Sequence, residues 1–324
     1  MPVVGIPRGL LYYHYLPLWR DFFTGLGIEV MESGPTTRAI VKQGLAVAVD
    51  EICLPVKVFF GHVEELKDKV DYLFIPRLVS VEKRAFICPK LLGLPDMIRY
   101  SVVDLPPLLE PTVNLSKSRR GLYRVVDQMA IALKVHPVQA WLSFLKAWQH
   151  WRTWQHLQQQ GLVPLDALAA LDNEVGVKRD GNENKLCVGV LGHPYNIYDD
   201  YINLGTLQRL AELGVEVRTP EMLSPVIIKT WAKRLPKESF WTLGKNILGA
   251  AGHFLHSGEF DGIIHLISFG CGPDSLVGEL VERHAHRGGG FPFMLLTLDE
   301  HTGEAGLATR IEAFVDTLEW RKKG

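Results

Sequence analysis

Short apolar runs alternate with amphipathic helical stretches along the first third of the chain. An apolar run at residues 2–7 precedes a helical pattern at 10–23, and a second apolar run follows at 28–31. Strand, helix and strand at this spacing predict parallel strands joined by a right-handed crossover. The same alternation predicts further helices at 36–44, 56–70 and 90–100, and further strands at 71–76, 85–87 and 102–105.

The middle of the chain has a helical pattern throughout, at residues 116–135 and 137–160. Four aromatic residues of the second helix recur at steps of three and four and therefore line one face: Trp141, Phe144, Trp148 and Trp151. A flat ligand could stack on such a face, but the spacing favours a helix packed on the body of the protein. The polar residues 172–185 predict a linker.

The last part of the chain repeats the alternation of the first. Strands are predicted at 186–192, 215–217, 262–267 and 291–297, with helices at 201–213, 224–235, 240–256 and 274–286 and a closing helix. The predicted fold class is therefore α/β, with two Rossmann-like, doubly wound parallel-sheet domains and a helical connecting segment. The predicted boundaries are 1–112 for the N-terminal domain, 113–184 for the helical segment and linker, and 185–324 for the C-terminal domain.

The composition of the chain argues against several classes of protein. The 324 residues are 47% hydrophobic, with 35 basic and 36 acidic residues. Balanced charge without a basic stripe argues against nucleic-acid binding. We find no apolar stretch long enough to span a bilayer, and Arg8 and His14 interrupt the first apolar run, which does not favour a signal peptide. Four cysteines are too few for a disulfide scaffold, so we expect a cytoplasmic protein with metal-binding or reactive cysteines.

Three of the four cysteines occur in similar turns. Cys53, Cys88 and Cys271 each follow apolar or acidic residues, and each precedes a predicted helix with a proline within two positions. A helix N-terminus favours the thiolate, which is the form that binds metal. Cys187 lies within an apolar strand, where a cysteine behaves as a small hydrophobic residue.

The cysteine spacing alone leaves a shared metal site and three unrelated thiols equally open. Three thiolates can hold three irons of a [4Fe-4S] cluster, whose fourth iron then needs water, a side chain or substrate. Three cysteines and a histidine can instead hold zinc.

Two polar loops are predicted at strand ends. His193, Tyr198 and Asp199 follow the strand 186–192, and Asp299, Glu300 and His301 follow the strand 291–297. In doubly wound sheets ligands bind beyond the carboxyl ends of the strands, so these side chains are candidates for positioning a substrate or moving protons. Turn and helix capping is the alternative. The chain has neither a P-loop nor a dinucleotide fingerprint, and Gly288-Gly289-Gly290 predicts a flexible connection.

Taken together, these segments resemble the acyl-CoA dehydratase activase-related proteins, which are similar to the iron–sulfur subunits of 2-hydroxyacyl-CoA dehydratases and to double-cubane cluster proteins. The resemblance covers nearly the whole chain. It rests on Gly5-Ile6-Pro7-Arg8, Asp50-Glu51-Ile52-Cys53-Leu54-Pro55-Val56-Lys57 with Gly61-His62, Cys88-Pro89, His193-Pro194-Tyr195 with Tyr198-Asp199, Cys271-Gly272-Pro273-Asp274, and Asp299-Glu300-His301-Thr302-Gly303-Glu304.

The resemblance implies a cluster held between two Rossmann-like domains, with Cys53, Cys88 and Cys271 as its ligands. It also implies an ATP-hydrolysing activase, with its own cluster, as the electron donor. A double cubane needs more cysteines, so we expect one [4Fe-4S] cluster per chain unless two chains share one.

We therefore expect a dehydratase-like or reductase-like component that reduces a small or acyl-CoA substrate or passes the electron on. His193, Tyr198, Asp199, Glu300 and His301 are its candidate catalytic residues. The alternatives are a zinc-dependent non-redox enzyme with Asp299, Glu300 or His301 as base, and a non-catalytic partner of an activase or dehydratase that binds through the helix carrying Trp141 and Trp154. A homodimer is expected only because most oligomers are symmetric.

Overall fold

A computed structural model of the chain describes residues 1–173, 185–235, 237, 239–287 and 289–323. The described chain divides into two compact units. Unit 1 consists of Met1–His156 with Phe240–Thr242, and unit 2 consists of the described parts of Leu157–Ser239 and Leu243–Gly324. Most of the predicted linker 172–185, and Gly288 of the predicted glycine connection, lie outside the described residues.

Unit 1 is built around a four-stranded parallel sheet with the strand order β2-β1-β3-β5, beside a two-stranded sheet of β4 and β6. Strand β1 pairs with β2 on one side and with β3 on the other. The crossover from β1 to β2 therefore runs in one direction across the sheet, and the crossover from β2 to β3 runs back past β1. Its strands are β1 Val3–Ile6, β2 Glu29–Glu32, β3 Tyr72–Phe74, β4 Arg77–Ser80, β5 Leu108–Leu109 and β6 Thr112–Asn114. Its helices are α1 Tyr12–Thr24, α2 Arg38–Val47, α3 Leu54–Leu66, α4 Pro89–Leu92, α5 Leu94–Ser101, α6 Gly121–Ala132 and α7 Pro137–Gln159, whose last residues fall in unit 2.

Unit 2 repeats the same winding. Its parallel sheet has the order β10-β9-β7-β8, so the first strand again lies between the second and the third. The strands are β7 Cys187–Gly192, β8 Glu216–Arg218, β9 Gly262–Ser268 and β10 Phe293–Leu298. The helices are α8 Pro164–Asn173, α9 Pro194–Ile197, α10 Thr206–Glu212, α11 Pro225–Ala232, α12 Thr242–His256, α13 Gly272–Arg287 and α14 Glu304–Lys323, with a 3-10 helix at Pro220–Met222.

These two sheets confirm the predicted α/β class with Rossmann-like parallel sheets. Each parallel strand needs a crossover, and the helices that supply the crossovers cover the sheets with apolar side chains. In unit 2, side chains of the sheet and of two helices form one buried apolar core, which includes Leu191 of β7, Ile247, Ala250 and Phe254 of α12, and Val281 of α13. In the part of the chain that the structure describes, no helix is both long and apolar enough to cross a membrane.

The predicted strand at 102–105 is wrong. Val102 is the C-cap of α5, where its N–H donates to the carbonyl of Ile98, and Asp104 has a positive φ of 55°. Pairing with β3 begins only at Leu108. The apolar run therefore ends a helix, and the two prolines after it delay the strand.

The surroundings of Cys88 also differ from the prediction. Residues 85–87 form no strand of the main sheet, because Ala85 and Phe86 make only isolated bridges, to Glu82 and Trp241. The predicted helix 90–100 is two helices, α4 and α5, which meet at Gly93. Pro95 lies in the first turn of α5, where backbone N–H groups have no partner within the helix. A proline is tolerated there but not inside a helix, so Pro95 marks the start of a new helix.

The aromatic face of α7 packs inward in unit 1, as its spacing predicts. Phe144 is buried and its ring lies 6.4 Å from the ring of Phe22 on α1. Trp151 is also buried, and its indole N–H donates to the carbonyl of His14 at 2.9 Å. The face is therefore part of the core of unit 1.

Helices α2 and α3 cross at unusually short distance, which fixes the position of Cys53 at the start of α3. A Cβ at Gly44 would lie 1.9 Å from the carbonyl oxygen of Lys57, and one at Gly61 would lie 2.0 Å from that of Ile40. Only glycine fits at these two positions, because any side chain would push the helices apart.

Candidate metal site

The three cysteines of the predicted cluster occupy the same local position. Cys53 and Cys88 are the N-caps of α3 and α4, with extended ψ angles of 148° and 138°. Cys271 precedes α13, and its carbonyl accepts from the N–H of Ser275 at 3.0 Å, the first hydrogen bond of that helix. A proline within two residues starts each helix, so the placement of each thiol follows from local sequence.

In unit 1, Cys53 and Cys88 are both half-buried, and they lie close enough for their charges to interact. Burial raises the pKa of the Cys53 thiol, and the nearby Cys88 raises it further. The Val56 N–H at the start of α3 and the ammonium of Lys90 lower it, but burial is the larger effect. In the metal-free protein Cys53 is therefore a neutral thiol, against the expectation that the helix start would favour the thiolate.

In unit 2, Cys271 lies with His193 and Asp274 in one buried group. The exposed fraction is 8% for Cys271, 4% for His193 and 0% for Asp274. One ligand atom of each residue lies within 4.8 Å of those of the other two, and His193 Nε2 is 3.4 Å from Asp274 Oδ1. A thiol, an imidazole and a carboxylate at these distances can hold a metal ion.

The topology of unit 2 brings these three residues together. His193 follows the end of β7, and Cys271 and Asp274 follow the end of β9, which pairs with β7 in parallel from Val188↔Gly262 to Gly192↔Leu266. The two strands flank the point where the winding reverses, and such points are where doubly wound sheets bind ligands.

Two further residues fix the carboxylate. The hydroxyl of Ser268 donates to Asn196 Oδ1 at 2.7 Å, and Asn196 Nδ2 lies 3.5 Å from Asp274 Oδ2. Both partners are buried. Asn196 therefore occupies Oδ2 and leaves Oδ1 on the side of His193.

The group contains buried polar atoms without a hydrogen bond. Among the residues that the structure describes, Asp274 Oδ1 and His193 Nδ1 have no hydrogen-bond partner. Burial raises the pKa of Asp274, while the positive charge of a protonated His193 would lower it. A buried carboxyl oxygen without a hydrogen bond is costly, and the contact that Oδ1 makes here is the one to His193 Nε2 at 3.4 Å.

His265, on β9, adds a second imidazole near His193. Burial lowers the pKa of His265 to about 3, and the charge of His193 lowers it too. Neither of its ring nitrogens has a partner within the described part of the chain. At neutral pH its imidazole is therefore uncharged.

Tyr198 and Asp199 of the same predicted loop make other contacts. The Tyr198 hydroxyl lies 2.6 Å from Thr219 Oγ1 and donates to Glu221 Oε2 at 2.7 Å, and burial raises its pKa. Asp199 Oδ1 accepts from the backbone N–H groups of Tyr201 and Ile202, both at 3.1 Å. These contacts are those of a hydroxyl network and a turn cap, whereas His193 belongs to the group that could hold a metal ion.

The loop after β10 is closed by Asp299. Its Oδ1 accepts from the N–H of His301 and from the hydroxyl of Thr302, both at 2.8 Å. The Thr302 hydroxyl is the main cause of a lowered pKa for Asp299, which makes this carboxylate a weak base. Glu300 and His301 are exposed.

Sequence reasoning singled out His193 and Cys271 but gave no role to Asp274, Asn196, Ser268 or His265. Asp274 carried a usable signal, because a residue three positions after Cys271 in a first helical turn lies on the same face. Asn196 and His265 carried none, because their place depends on the pairing of β7 with β9.

Two apolar cavities lie in unit 1. One measures about 60 Å³ and is lined by Tyr12, Trp19 and Phe59 among others. The other measures about 80 Å³ and lies between α1 and the aromatic face of α7. Both are smaller than the roughly 150 Å³ cavity that accepts benzene in an engineered protein, so we assign them to imperfect core packing.

A comparison with curated proteins found no match. A family model, that of the CoA enzyme activase uncharacterised domain (DUF2229), matches residues 3–223, which is more than half of the chain. The match includes Cys53, Cys88 and His193, and it confirms the predicted resemblance to activase-related proteins. The chain belongs to the family of the CoA enzyme activase uncharacterised domain.

Proposed function

We propose that this protein is a cytoplasmic [4Fe-4S] protein whose cluster ligands are Cys53, Cys88 and Cys271. The observation that carries the proposal is the shared position of the three thiols, each directly before the first turn of a helix. Cys187, in contrast, lies at the start of a strand, where burial raises its pKa to about 12. Family membership adds support, because the match contains two of the three proposed ligands.

The donor chemistry of each unit fits such a cluster. Thiolates are the ligands that iron–sulfur clusters require, and unit 1 offers two neighbouring thiols. In unit 2, the Cys271 thiol lies beside a buried carboxylate oxygen that has no hydrogen-bond partner among the described residues. When bound, the cluster would supply one-electron reduction at low potential.

The chain's own residues would bind and orient a substrate near Cys271. His193 and Asp274 are in direct reach of that thiol, so we assign them the positioning of a polar substrate group. Tyr198 and Asp199 would hold the loop that carries His193, through Thr219, Glu221 and backbone N–H groups. Glu300 and His301, at the exposed loop after β10, would exchange protons with solvent.

Membership of an activase-related family supports an ATP-hydrolysing activase as the partner that delivers the electron. The substrate would be a small molecule, such as an acyl-CoA, or the protein would pass the electron to a second protein. Stable, ATP-dependent association with the activase is the corresponding expectation.

The deciding experiment is the content of iron and acid-labile sulfide per chain in protein purified without oxygen. The proposal predicts about four of each. Cys53→Ala should abolish cluster assembly, whereas Cys187→Ala, the matched cysteine control, should retain it. Unchanged iron in Cys53→Ala would overturn the ligand assignment.

Other outcomes select the other function classes. Stoichiometric zinc without iron would favour a non-redox zinc enzyme. Protein with no metal at all, prepared without exposure to air, would favour a binding partner of an activase or dehydratase, for which the surface of α7 is the first place to test.

A further inference from the structure

We infer that unit 2 by itself binds one divalent transition-metal ion, of the Zn²⁺, Co²⁺ or Fe²⁺ class, through His193, Cys271 and Asp274. The inference does not rest on the proposed cluster. Because both would use Cys271, the single ion would occupy unit 2 in chains that do not carry the cluster. It needs neither Cys53 nor Cys88, because all three ligands belong to the two strand ends of β7 and β9.

The distances suit a single ion. A metal of this class binds sulfur at about 2.3 Å and nitrogen or oxygen at about 2.0–2.2 Å, so two donors of a tetrahedral site lie about 3.3–3.7 Å apart. His193 Nε2 and Asp274 Oδ1, 3.4 Å apart, already have this separation. The ligand atoms of all three residues lie within 4.8 Å of one another.

The buried environment of Asp274 suits a bound cation. The residue is 0% exposed, and its Oδ1 has no hydrogen-bond partner in the part of the chain that the structure describes. His193 Nε2, 3.4 Å away, is its ion-pair contact. A buried carboxylate oxygen without a hydrogen bond is costly, and a bound cation would reduce that cost.

The carboxylate is also oriented in advance. Ser268 fixes the side-chain amide of Asn196, and Asn196 Nδ2 faces Asp274 Oδ2. Outer hydrogen bonds of this kind hold metal-ligating carboxylates in place in known sites. Ser268 and Asn196 therefore hold the carboxylate so that Oδ1 remains available to an ion.

The donor set selects the class of ion. Mg²⁺ and Ca²⁺ prefer oxygen ligands, whereas one sulfur, one nitrogen and one oxygen suit Zn²⁺, Co²⁺ or Fe²⁺. Three protein ligands leave a fourth position open for water or a substrate atom, which is typical of catalytic rather than structural zinc sites.

The test is a Co²⁺ titration of the full chain carrying Cys53→Ala and Cys88→Ala, prepared metal-free and without oxygen. We expect one Co²⁺ per chain, with a thiolate-to-cobalt charge-transfer band and displacement by Zn²⁺. Adding Cys271→Ala should remove that band, and adding Asp274→Asn should weaken binding at least about tenfold. Adding Cys187→Ala should change neither the charge-transfer band nor the affinity for Co²⁺.

Folding of each variant is checked by circular dichroism, and His193→Gln replaces Asp274→Asn if the latter does not fold. Absence of Co²⁺ binding in the double variant would overturn the inference, as would a charge-transfer band that survives Cys271→Ala. Iron and sulfide in the wild-type protein test the cluster separately, so either proposal can fail while the other stands.

Discussion

Asp274 Oδ1 lies 3.4 Å from His193 Nε2, although Asp274 is in the first turn of α13 and His193 follows β7. Cys271 lies beside both. This arrangement joins a thiol at a helix start to an imidazole and a carboxylate. Among the described residues it is the one group of three such side chains whose ligand atoms lie within 4.8 Å of one another. The family match, at residues 3–223, includes His193 but not Cys271 or Asp274.

Metal binding by the unit 1 thiols should strengthen with pH. Burial raises the pKa of Cys53 above its ordinary value, so at pH 7 the thiol keeps its proton and metal binding must release it. In a Cys187→Ala/Cys271→Ala variant, Cd²⁺ affinity should rise between pH 6 and pH 8 by up to about tenfold per unit for each thiol that loses a proton. Affinity measured by thiolate charge-transfer absorbance that does not change with pH would contradict a buried, neutral Cys53.

His62 should contribute to a loss of stability in acid. Burial, together with the charge of Arg8, lowers the pKa of His62 to about 3 from 6.5. The folded protein therefore binds no proton here between pH 6.5 and about 3 while the unfolded chain does, and the free energy of unfolding decreases as pH falls through that range. One such group contributes up to about 1.4 kcal/mol per pH unit.

Urea unfolding at a series of pH values from 7 to 4 measures this slope. His62→Gln should lower the stability at pH 7, because the contact between His62 Nε2 and Thr36 Oγ1 at 3.0 Å changes. It should also make the acid slope shallower. An unchanged slope would mean that His62 does not contribute to the acid dependence.

Gly44→Ala should destabilise unit 1. The added Cβ would lie 1.9 Å from the carbonyl oxygen of Lys57, and α2 and α3 must separate to relieve the overlap. We expect a loss of about 1–3 kcal/mol or more. Gly306→Ala is the matched control, because nothing lies within 4 Å of its Cβ position on α14 and alanine favours a helix. Chemical unfolding that gives equal effects for both variants would contradict the close helix crossing.

Tyr198→Phe should cost stability through Glu221. The change leaves the half-buried Glu221 carboxylate without the donor that now lies 2.7 Å away, and it removes the contact to Thr219. We expect a loss of about 1–3 kcal/mol. Tyr100→Phe, at a position that is 87% exposed, should have no measurable effect.

A double-mutant cycle with Glu221→Gln tests the partner directly. If the hydroxyl acts mainly on Glu221, Tyr198→Phe should cost less in the Glu221→Gln background, because a neutral amide is less costly to leave without a donor. Strict additivity of the two changes would indicate that the hydroxyl acts elsewhere.

The sequence by itself determined the local structures of this protein. The periodicity of the apolar residues identified most helices and strands of both units, and the prolines after Cys53, Cys88 and Cys271 identified the helix starts that carry the thiols. These features depend on residues a few positions apart, whose effect on the backbone conformation does not require contacts with distant segments.

The tertiary structure decided what surrounds those thiols. Asp274 meets His193, and Asn196 meets Asp274 across 78 positions of sequence, only because β9 pairs with β7. The run 102–105 has an apolar pattern suited to a strand, yet it ends α5, because the sheet pairs with β5 instead. Burial also outweighs the helix start at Cys53. Strand order and burial depend on contacts between distant segments, and for that reason local sequence could not determine them.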